Sequence, residues 1–183
     1  VYTVNYPLQY FAERIGGDLV RVQFPAPADG DPAFWSPGLD VIAGYQSADL
    51  IFLNGAGYAK WTERVSLPSS KVVNTSEAFA DRYLLVDDAV THSHGPGGEH
   101  DHGETAFTTW LDPTLAAQQA EAVFHALSLA LPDDVAALEE RYNSLAEDLA
   151  ALDRRTAGIV ERDPELLLLA SHPVYQYFAR RYE

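Results

Sequence analysis

Cysteine and methionine are both absent from the 183-residue sequence, and basic residues are scarce. The absence of cysteine excludes disulfides, thiolate metal ligands and cysteine nucleophiles. Lys and Arg number 12 against 27 Asp and Glu, which gives a formal net charge of -15. Because nucleic-acid binding depends on clustered Lys and Arg, this balance argues against a nucleic-acid partner.

Long apolar runs and catalytic motifs are also missing. The longest apolar run, residues 166–170, is far too short to span a bilayer. The sequence contains no nucleophile elbow, no zinc-protease motif and no Walker motif. These absences leave an enzyme without support from any motif, and an uncatalogued α/β hydrolase or isomerase stays a rival interpretation. Since the chain starts at Val1 and lacks methionine, we interpret it as a processed or trimmed chain and expect export.

Short β-like segments alternate with helical segments in the first half of the chain. The strand-like segments are VYTVNY, LVRVQF, DLIFLNG and KVVNTS, and the helical ones are PLQYFAERIGGD, GLDVIAGYQSA and YAKWTERV. In the first helix Pro7 stands in the first turn, and Gly16 and Gly17 end the helix. The alternation predicts an α/β fold in which helices flank a parallel four-stranded sheet.

Longer helices follow in the second half. Residues 112–132 predict one helix, and residues 133–162 predict a longer one, because apolar residues recur there every three or four positions. The last residues predict one strand, LLLLASH, and one helix, PVYQYFARRYE, which are too few for an independent core. We therefore expect an N-terminal α/β lobe at 1–130, a connecting backbone helix at 131–163 and the start of a truncated C-terminal lobe at 164–183.

The segment THSHGPGGEHDHGE (91–104) holds four of the six histidines. His92 and His94, and likewise His100 and His102, stand two residues apart, which suits an extended segment that presents both rings on one side. Imidazoles with nearby carboxylates suit a borderline divalent metal. Ordering this glycine-rich segment would cost about 1 to 2 kcal/mol per residue, so a site there should be weaker than a preformed one. A solvated loop without metal is the alternative.

His172 is a different kind of candidate. It follows the apolar run LLLLAS and precedes Pro173. This is the carboxyl end of a predicted strand, where open α/β sheets place their ligands. The alternative is a strand-end histidine that is bonded to backbone. His125 lies on a predicted helix and is interpreted as a packed or partly exposed helical residue.

Several segments, in the same order, resemble the zinc- and manganese-binding receptors of bacterial ABC importers, which share the TroA-like fold. YPLQYFAERIGGD is similar to their opening strand and helix, and GDPAFWSPGLDVIAGYQSADLIFLNGAGYAKW to the first ligand loop and the elements after it. FTTWLDP (107–113) resembles the second ligand loop, ERYNSLAEDLAALDRR the backbone helix and SHPVYQYFARRY the start of the second lobe.

The resemblance implies an extracytoplasmic receptor that captures a divalent metal and delivers it to a membrane ABC permease. Zinc is the expected metal, with manganese or another divalent metal as the alternative. The implied location is periplasmic or extracellular, with any lipid anchor attached through a segment upstream of Val1.

The ligand positions depart from the family pattern. The first loop typically reads Asp-Pro-His, and Ala33 takes the place of that histidine here. The second loop typically has a histidine two residues before its tryptophan, where this chain has Thr108. His172 stands where the pattern places the third histidine, and an acidic fourth ligand would fall beyond Glu183.

Three interpretations follow from this departure. The chain is a metal receptor that recruits histidines of the segment 91–104 beside His172, a divergent receptor for a metal chelate or small organic solute, or an interaction protein that transports nothing. Phe34, Trp35 and Trp110 lie beside the altered positions and favour the second interpretation. The alternative, which we prefer for Trp35 and Trp110, is that the two tryptophans simply pack the lobes.

Overall fold

A small parallel sheet lies at the centre of the fold. The computed structural model describes residues 1–28, 30–86, 105–163, 170, 172 and 174–183. Within these residues the sheet has three strands, β1 (Tyr2–Thr3), β2 (Ile51–Leu53) and β3 (Val72–Asn74), in the order β1-β2-β3. All neighbours are parallel, with Tyr2 opposite Ile51 and Ile51 opposite Val72. The predicted α/β class is confirmed, and the carboxyl ends of the strands share one edge.

The prediction of a fourth strand over residues 19–24 is wrong. Leu19 ends a 3-10 helix, and Gln23 forms a single parallel bridge with Tyr2. Two backbone hydrogen bonds accompany this bridge, from Gln23 N to Val1 O and from Thr3 N to Gln23 O, both 2.9 Å long. Because β1 is only two residues long, the segment 19–24 cannot form more than this short stretch of pairing with it.

Five α-helices accompany the sheet in the described part of the chain. They are α1 (Tyr6–Gly16), α2 (Leu39–Ser47), α3 (Pro113–Ala130), α4 (Val135–Val160) and α5 (Gln176–Tyr182). The predicted helix over YAKWTERV is instead a short 3-10 helix (Lys60–Arg64), which follows Ala59 in the left-handed conformation with φ 56°. Within the described ranges, no helix has the length and apolar character that crossing a bilayer requires.

Local side chains start α1 and α3 where the sequence predicts. The side-chain oxygen of Asn5 accepts a hydrogen bond from Leu8 N at 3.0 Å, and that of Asp112 accepts one from Thr114 N at 2.8 Å. Each helix also has a proline in its first turn. Caps of this type satisfy backbone N–H groups that have no partner inside the helix.

The apolar core lies between the sheet and the helices α1, α3 and α4. The long predicted helix is present as α4, which buries Leu138 and Leu145 in this core. Arg14 of α1 also forms an ion pair with Asp148 of α4 at 2.8 Å. The amphipathic pattern of residues 133–162 therefore reflects packing against the lobe along one face of the helix.

Helix α5 packs on the same lobe. Tyr177 is fully buried in a second apolar cluster with Phe79, Ala106 and Leu115. The described residues of the segment predicted to begin a second lobe thus contact residues of the first. The division into 1–130, 131–163 and 164–183 stays a prediction.

Two glycines after β2 differ in their surroundings but not in their backbone conformation. Gly55 and Gly57 have positive φ angles of 76° and 74°. A Cβ at residue 55 would lie 2.0 Å from Ser76 Oγ and 2.4 Å from Asn74 Oδ1, whereas one at residue 57 meets nothing among the described residues within 4 Å. A side chain at residue 55, in the segment after β2, would therefore collide with side chains at the end of β3 and just beyond it.

We expect Gly55→Ala to destabilise the protein more than Gly57→Ala. The second variant should cost only the left-handed strain, about 1 to 2 kcal/mol. The first should cost about 3 kcal/mol or more, because Asn74 and Ser76 must also move. Urea denaturation of both variants measures the two free energies of unfolding. Equal losses would contradict the close approach at residue 55.

Candidate metal centre

A buried hydrogen-bond network lies at the carboxyl ends of the strands. Asn54 directly follows β2 and is fully buried, and its side-chain oxygen accepts hydrogen bonds from Asn5 Nδ2 at 3.0 Å and Gln119 Nε2 at 3.2 Å. Its side-chain nitrogen donates to the backbone oxygen of Phe107 at 2.9 Å. Gln119 Oε1 in turn accepts a hydrogen bond from Thr109 Oγ1 at 3.1 Å. The network therefore holds the second ligand loop against the edge of the sheet.

The two positions where the sequence is predicted to depart from the family's ligand pattern are occupied by small, buried residues. Ala33 is 6% exposed, and its backbone nitrogen donates to Asp31 Oδ1 at 2.9 Å. Thr108 is 7% exposed, and its hydroxyl donates to the backbone oxygen of Val174 at 2.5 Å. Ala33 thus presents a methyl group, and the hydroxyl proton of Thr108 is committed to a protein carbonyl. Neither residue replaces an imidazole as a zinc ligand.

His172 lies next to the contact made by Thr108. It is exposed, and its backbone oxygen accepts a hydrogen bond from Val174 N at 3.0 Å. The second ligand loop therefore bonds to a residue only two positions after His172. The other four predicted metal ligands lie outside the described residues: His92, His94, His100 and His102.

The chain on either side of the histidine segment forms a paired stem. Leu85 and Thr105 make an antiparallel bridge, and Ala106 N donates to Leu84 O at 2.8 Å. The hydroxyl of Tyr177 accepts a hydrogen bond from Leu84 N at 3.1 Å and donates to Ala106 O at 2.9 Å. Both sides of the stem are thus hydrogen-bonded to Tyr177 of α5, the helix that follows His172. Sequence reasoning missed this role of Tyr177, because its partners are 93 and 71 residues away.

Aromatic rings connect the two ligand loops. Phe34 meets Phe107 edge to face with ring centres 6.1 Å apart, and Tyr58 contacts Phe107 at 5.2 Å and Trp110 at 5.8 Å. Burial, with a smaller effect of the Asp31 carboxylate, raises the pKa of Tyr58, so its hydroxyl stays neutral. The contact of Phe34 with Phe107 therefore joins the two loops, although Phe34 is 71% exposed, and Trp110 packs on Tyr58 in the segment after β2.

An ion pair joins α5 to α4. Arg181 donates two hydrogen bonds to the carboxylate of Asp153, from Nε at 3.0 Å and from Nη2 at 2.6 Å. These hydrogen bonds hold the pKa of Asp153 below its ordinary value. Bidentate pairs of arginine with a carboxylate have a defined geometry and are stronger than ion pairs with a single hydrogen bond.

A complete metal site is not assembled from the residues that the structure describes. Among them, no group of three or more His, Asp and Glu side chains is arranged to hold an ion. His125 lies on the exposed side of α3, with Nε2 3.8 Å from Glu121 Oε1, as expected for a helical surface residue. Because zinc sites use three or four strong ligands, a zinc site at His172 would need ligands other than Ala33 and Thr108.

The whole chain matches one protein-family model. The model is described as "ZnuA: Zinc-uptake complex component A periplasmic" and matches residues 1–183. The chain belongs to the ZnuA family. This match confirms the predicted resemblance at the level of the family.

Individual relatives resemble this ZnuA-family chain in sequence or in structure. A Chlamydia muridarum (strain MoPn / Nigg) protein named "Putative metal-binding protein" is 25% identical over 184 residues, which are 96% of this chain and 59% of the relative. The metal-dependent lipoprotein YcdH from Bacillus subtilis is 20% identical with a TM-score of 0.82, over 99% of this chain and 63% of that chain. A crystal structure of ZnuA is 28% identical with a TM-score of 0.79, over 99% of this chain and 66% of that chain.

These superpositions confirm the predicted TroA-like fold, with three strands in the described sheet where four were predicted. The chain spans between 59% and 66% of the length of these relatives. The fold is therefore established for this chain, whereas its cargo and partners are proposals.

We expect Asn54→Leu to destabilise the protein by about 2 to 3 kcal/mol, because Asn5 Nδ2 and the backbone oxygen of Phe107 both lose the hydrogen bond to Asn54. Urea denaturation measures the change in the free energy of unfolding. Asn143→Leu is the control, since residue 143 is exposed on α4 and should change stability by less than about 0.5 kcal/mol. A loss for Asn54→Leu as small as that of the control would contradict the role of the network.

The Arg181–Asp153 pair predicts a dependence of stability on pH. Because the pKa of Asp153 is lower in the folded state, ionisation stabilises the fold at neutral pH, and this contribution is lost as the pH falls below about 4. Asp153→Asn removes the titrating group. The difference in unfolding free energy between parent and variant should therefore be larger at about pH 7 than at about pH 3. Denaturant unfolding at both pH values measures it, and an unchanged difference would argue against the pair.

Proposed function

We propose that this chain belongs to an extracytoplasmic, non-catalytic receptor of a metal ABC importer. The observation that carries the proposal is the match of residues 1–183 to a family of periplasmic zinc-uptake components. The cargo is a divalent metal, zinc in the first place and manganese as the alternative, and the partner is a membrane permease. The location is periplasmic or extracellular. The lack of catalytic sequence motifs supports a binding role.

We propose that His172 binds the metal together with imidazoles of the segment 91–104. The methyl group of Ala33 and the bonded hydroxyl of Thr108 leave the ligand loops without imidazoles, so further nitrogen ligands must come from elsewhere in the chain. The attachment of the stem to Tyr177 supports this arrangement, because it ties the residues that flank the segment to the helix after His172. The proposed ligands are His92, His94, His100, His102 and His172.

In this proposal residues 1–130 form the first lobe, 131–163 the connecting helix and 164–183 the start of the second lobe. Helix α4 has 26 residues and is about 39 Å long at 1.5 Å per residue. A continuous helix shared by two lobes resists bending. Closure around the metal would therefore be a small tilt of one lobe and not a wide swing.

A competitive zinc titration against a chromophoric chelator tests the proposal. We expect the parent chain to bind zinc, and His172→Ala and a deletion of residues 92–102 each to weaken binding by about tenfold or more, which corresponds to about 1.4 kcal/mol. The pairing of Leu85 with Thr105 closes the stem, so the deletion should leave the fold intact.

His125→Ala is the matched control, because His125 is exposed on α3 and should not affect the affinity. Full affinity in the deletion variant would make the histidine segment an accessory. Failure of the parent chain and of a longer form to bind zinc, manganese, nickel or copper more tightly than tens of micromolar would refute the metal receptor.

A receptor for a metal chelate is the second candidate function. The exposed ring of Phe34 beside Ala33 favours it, since an aromatic face suits an organic shell better than a bare hydrated ion. In the titration above, this candidate predicts weak binding of zinc alone and tight binding of a preformed zinc–histidine complex.

A further inference from the structure

Helix α5, which begins four residues after His172, is held on the first lobe by buried and charged contacts. We propose that Arg181 and Tyr177 are positioning residues, which hold the segment around His172 beside the second ligand loop. The inference rests on the proposed function, in which His172 binds the metal. Neither residue is itself a metal ligand.

Arg181 links α5 to two other helices. Besides its two hydrogen bonds to Asp153 of α4, its Nε lies 3.9 Å from Oδ1 of Asp112. Asp112 is 6% exposed, caps α3 and belongs to the second ligand loop. Asp153 also accepts a hydrogen bond from Tyr182 of α5 at 2.9 Å. The guanidinium of Arg181 therefore sets the last turn of α5 against both the long helix and the loop that includes Thr108.

Tyr177 fixes the first turn of α5. Its ring is fully buried in the cluster with Phe79, Ala106 and Leu115. Its hydroxyl bonds to the backbone of Leu84 and Ala106, on both sides of the stem. A buried hydroxyl with both a donor and an acceptor partner accepts only a narrow range of positions. The start of α5 is therefore held as firmly as its end.

A third contact lies closer to His172. The hydroxyl of Thr108 bonds to Val174 O, and Val174 N bonds to His172 O. Docking contacts thus follow His172 at distances of two, five and nine residues. Because the chain is held at these points after His172, less entropy should be lost when the histidine binds a metal. Release of α5 should weaken the affinity of His172 for zinc without removing a ligand.

The test follows the ring NMR signal of His172 in the full chain while zinc is added. The signal is assigned by its loss in His172→Ala, which separates it from the other histidines. We expect Arg181→Ala to raise the zinc concentration for a half-maximal shift of this signal by about tenfold. Tyr177→Phe keeps the ring and removes both hydrogen bonds of the hydroxyl. It should raise the zinc concentration for a half-maximal shift by about threefold.

Arg14→Ala is the matched control. Arg14 also forms an ion pair with α4, to Asp148 at 2.8 Å, but it lies on α1 and not on α5. It should lower the melting temperature without changing the zinc response of His172. Arg181→Lys keeps a cation beside both Asp153 and Asp112 and should retain much of the zinc affinity that Arg181→Ala loses.

Two failures are distinguishable. If zinc shifts the His172 signal equally in the parent, Arg181→Ala and Tyr177→Phe, the positioning role is refuted and the proposed function stands. Equal weakening in Arg14→Ala and Arg181→Ala shows a general loss of stability and also refutes the positioning role. If zinc does not shift the His172 signal in the parent chain, the role of His172 is refuted, and the positioning role with it.

Discussion

The burial of the Asn54 amide is the constraint on which the arrangement of the site depends. A fully buried amide costs free energy unless both its oxygen and its nitrogen find partners. The partners come from Asn5 at the start of α1, Gln119 within α3 and the backbone of Phe107. These elements cannot separate without leaving a polar group unpaired in the core. The hydrogen bonds of the Asn54 side chain therefore position the second ligand loop.

The sheet alone could not supply this rigidity. Its strands are two or three residues long, and so few ladder hydrogen bonds are marginal for a stable sheet. The lobe is instead held by helices, with Leu138 and Leu145 of α4 and Ile15 of α1 buried in one core. The apolar helix faces hold the elements together, and the polar network at the strand ends determines how the loops leave the sheet.

The parts of the fold that depend on local chemistry could be predicted from the sequence. Asn5 and Asp112 are caps that act within three residues, and the apolar period of α4 reports one buried face directly. Residues 19–24 have the alternation of a strand, but a strand also needs a partner of matching length, which the two-residue β1 does not provide. The alternation of apolar and polar residues shows which side chains share a face, but it gives no information on the length of the neighbouring strand.

The contacts that surround His172 could not be predicted in the same way. Tyr177 and Arg181 appear in the sequence as ordinary residues of a short terminal helix, because their partners are distant in the chain. The motif resemblance marked Thr108 as an altered ligand position, but it could not show that the hydroxyl bonds to Val174. The sequence pattern thus showed that a histidine is absent at residue 108, whereas only the structure shows which contact Thr108 makes instead.

The bond between Thr108 and Val174 explains how the fold persists where the ligand pattern does not. The family resemblance implies histidines at positions 108 and 172 that share a metal, which would join the second ligand loop to the start of the second lobe. In this chain the hydroxyl of Thr108 donates a hydrogen bond of 2.5 Å to Val174 O, which connects the second ligand loop to the residues after His172. The contacts of Asn54 and Arg181 do not involve position 33 or 108, so they are unaffected by the loss of histidine there. The described contacts between the loops and α5 thus use protein groups, and under the proposed function the imidazoles that bind metal with His172 come from outside the two ligand loops.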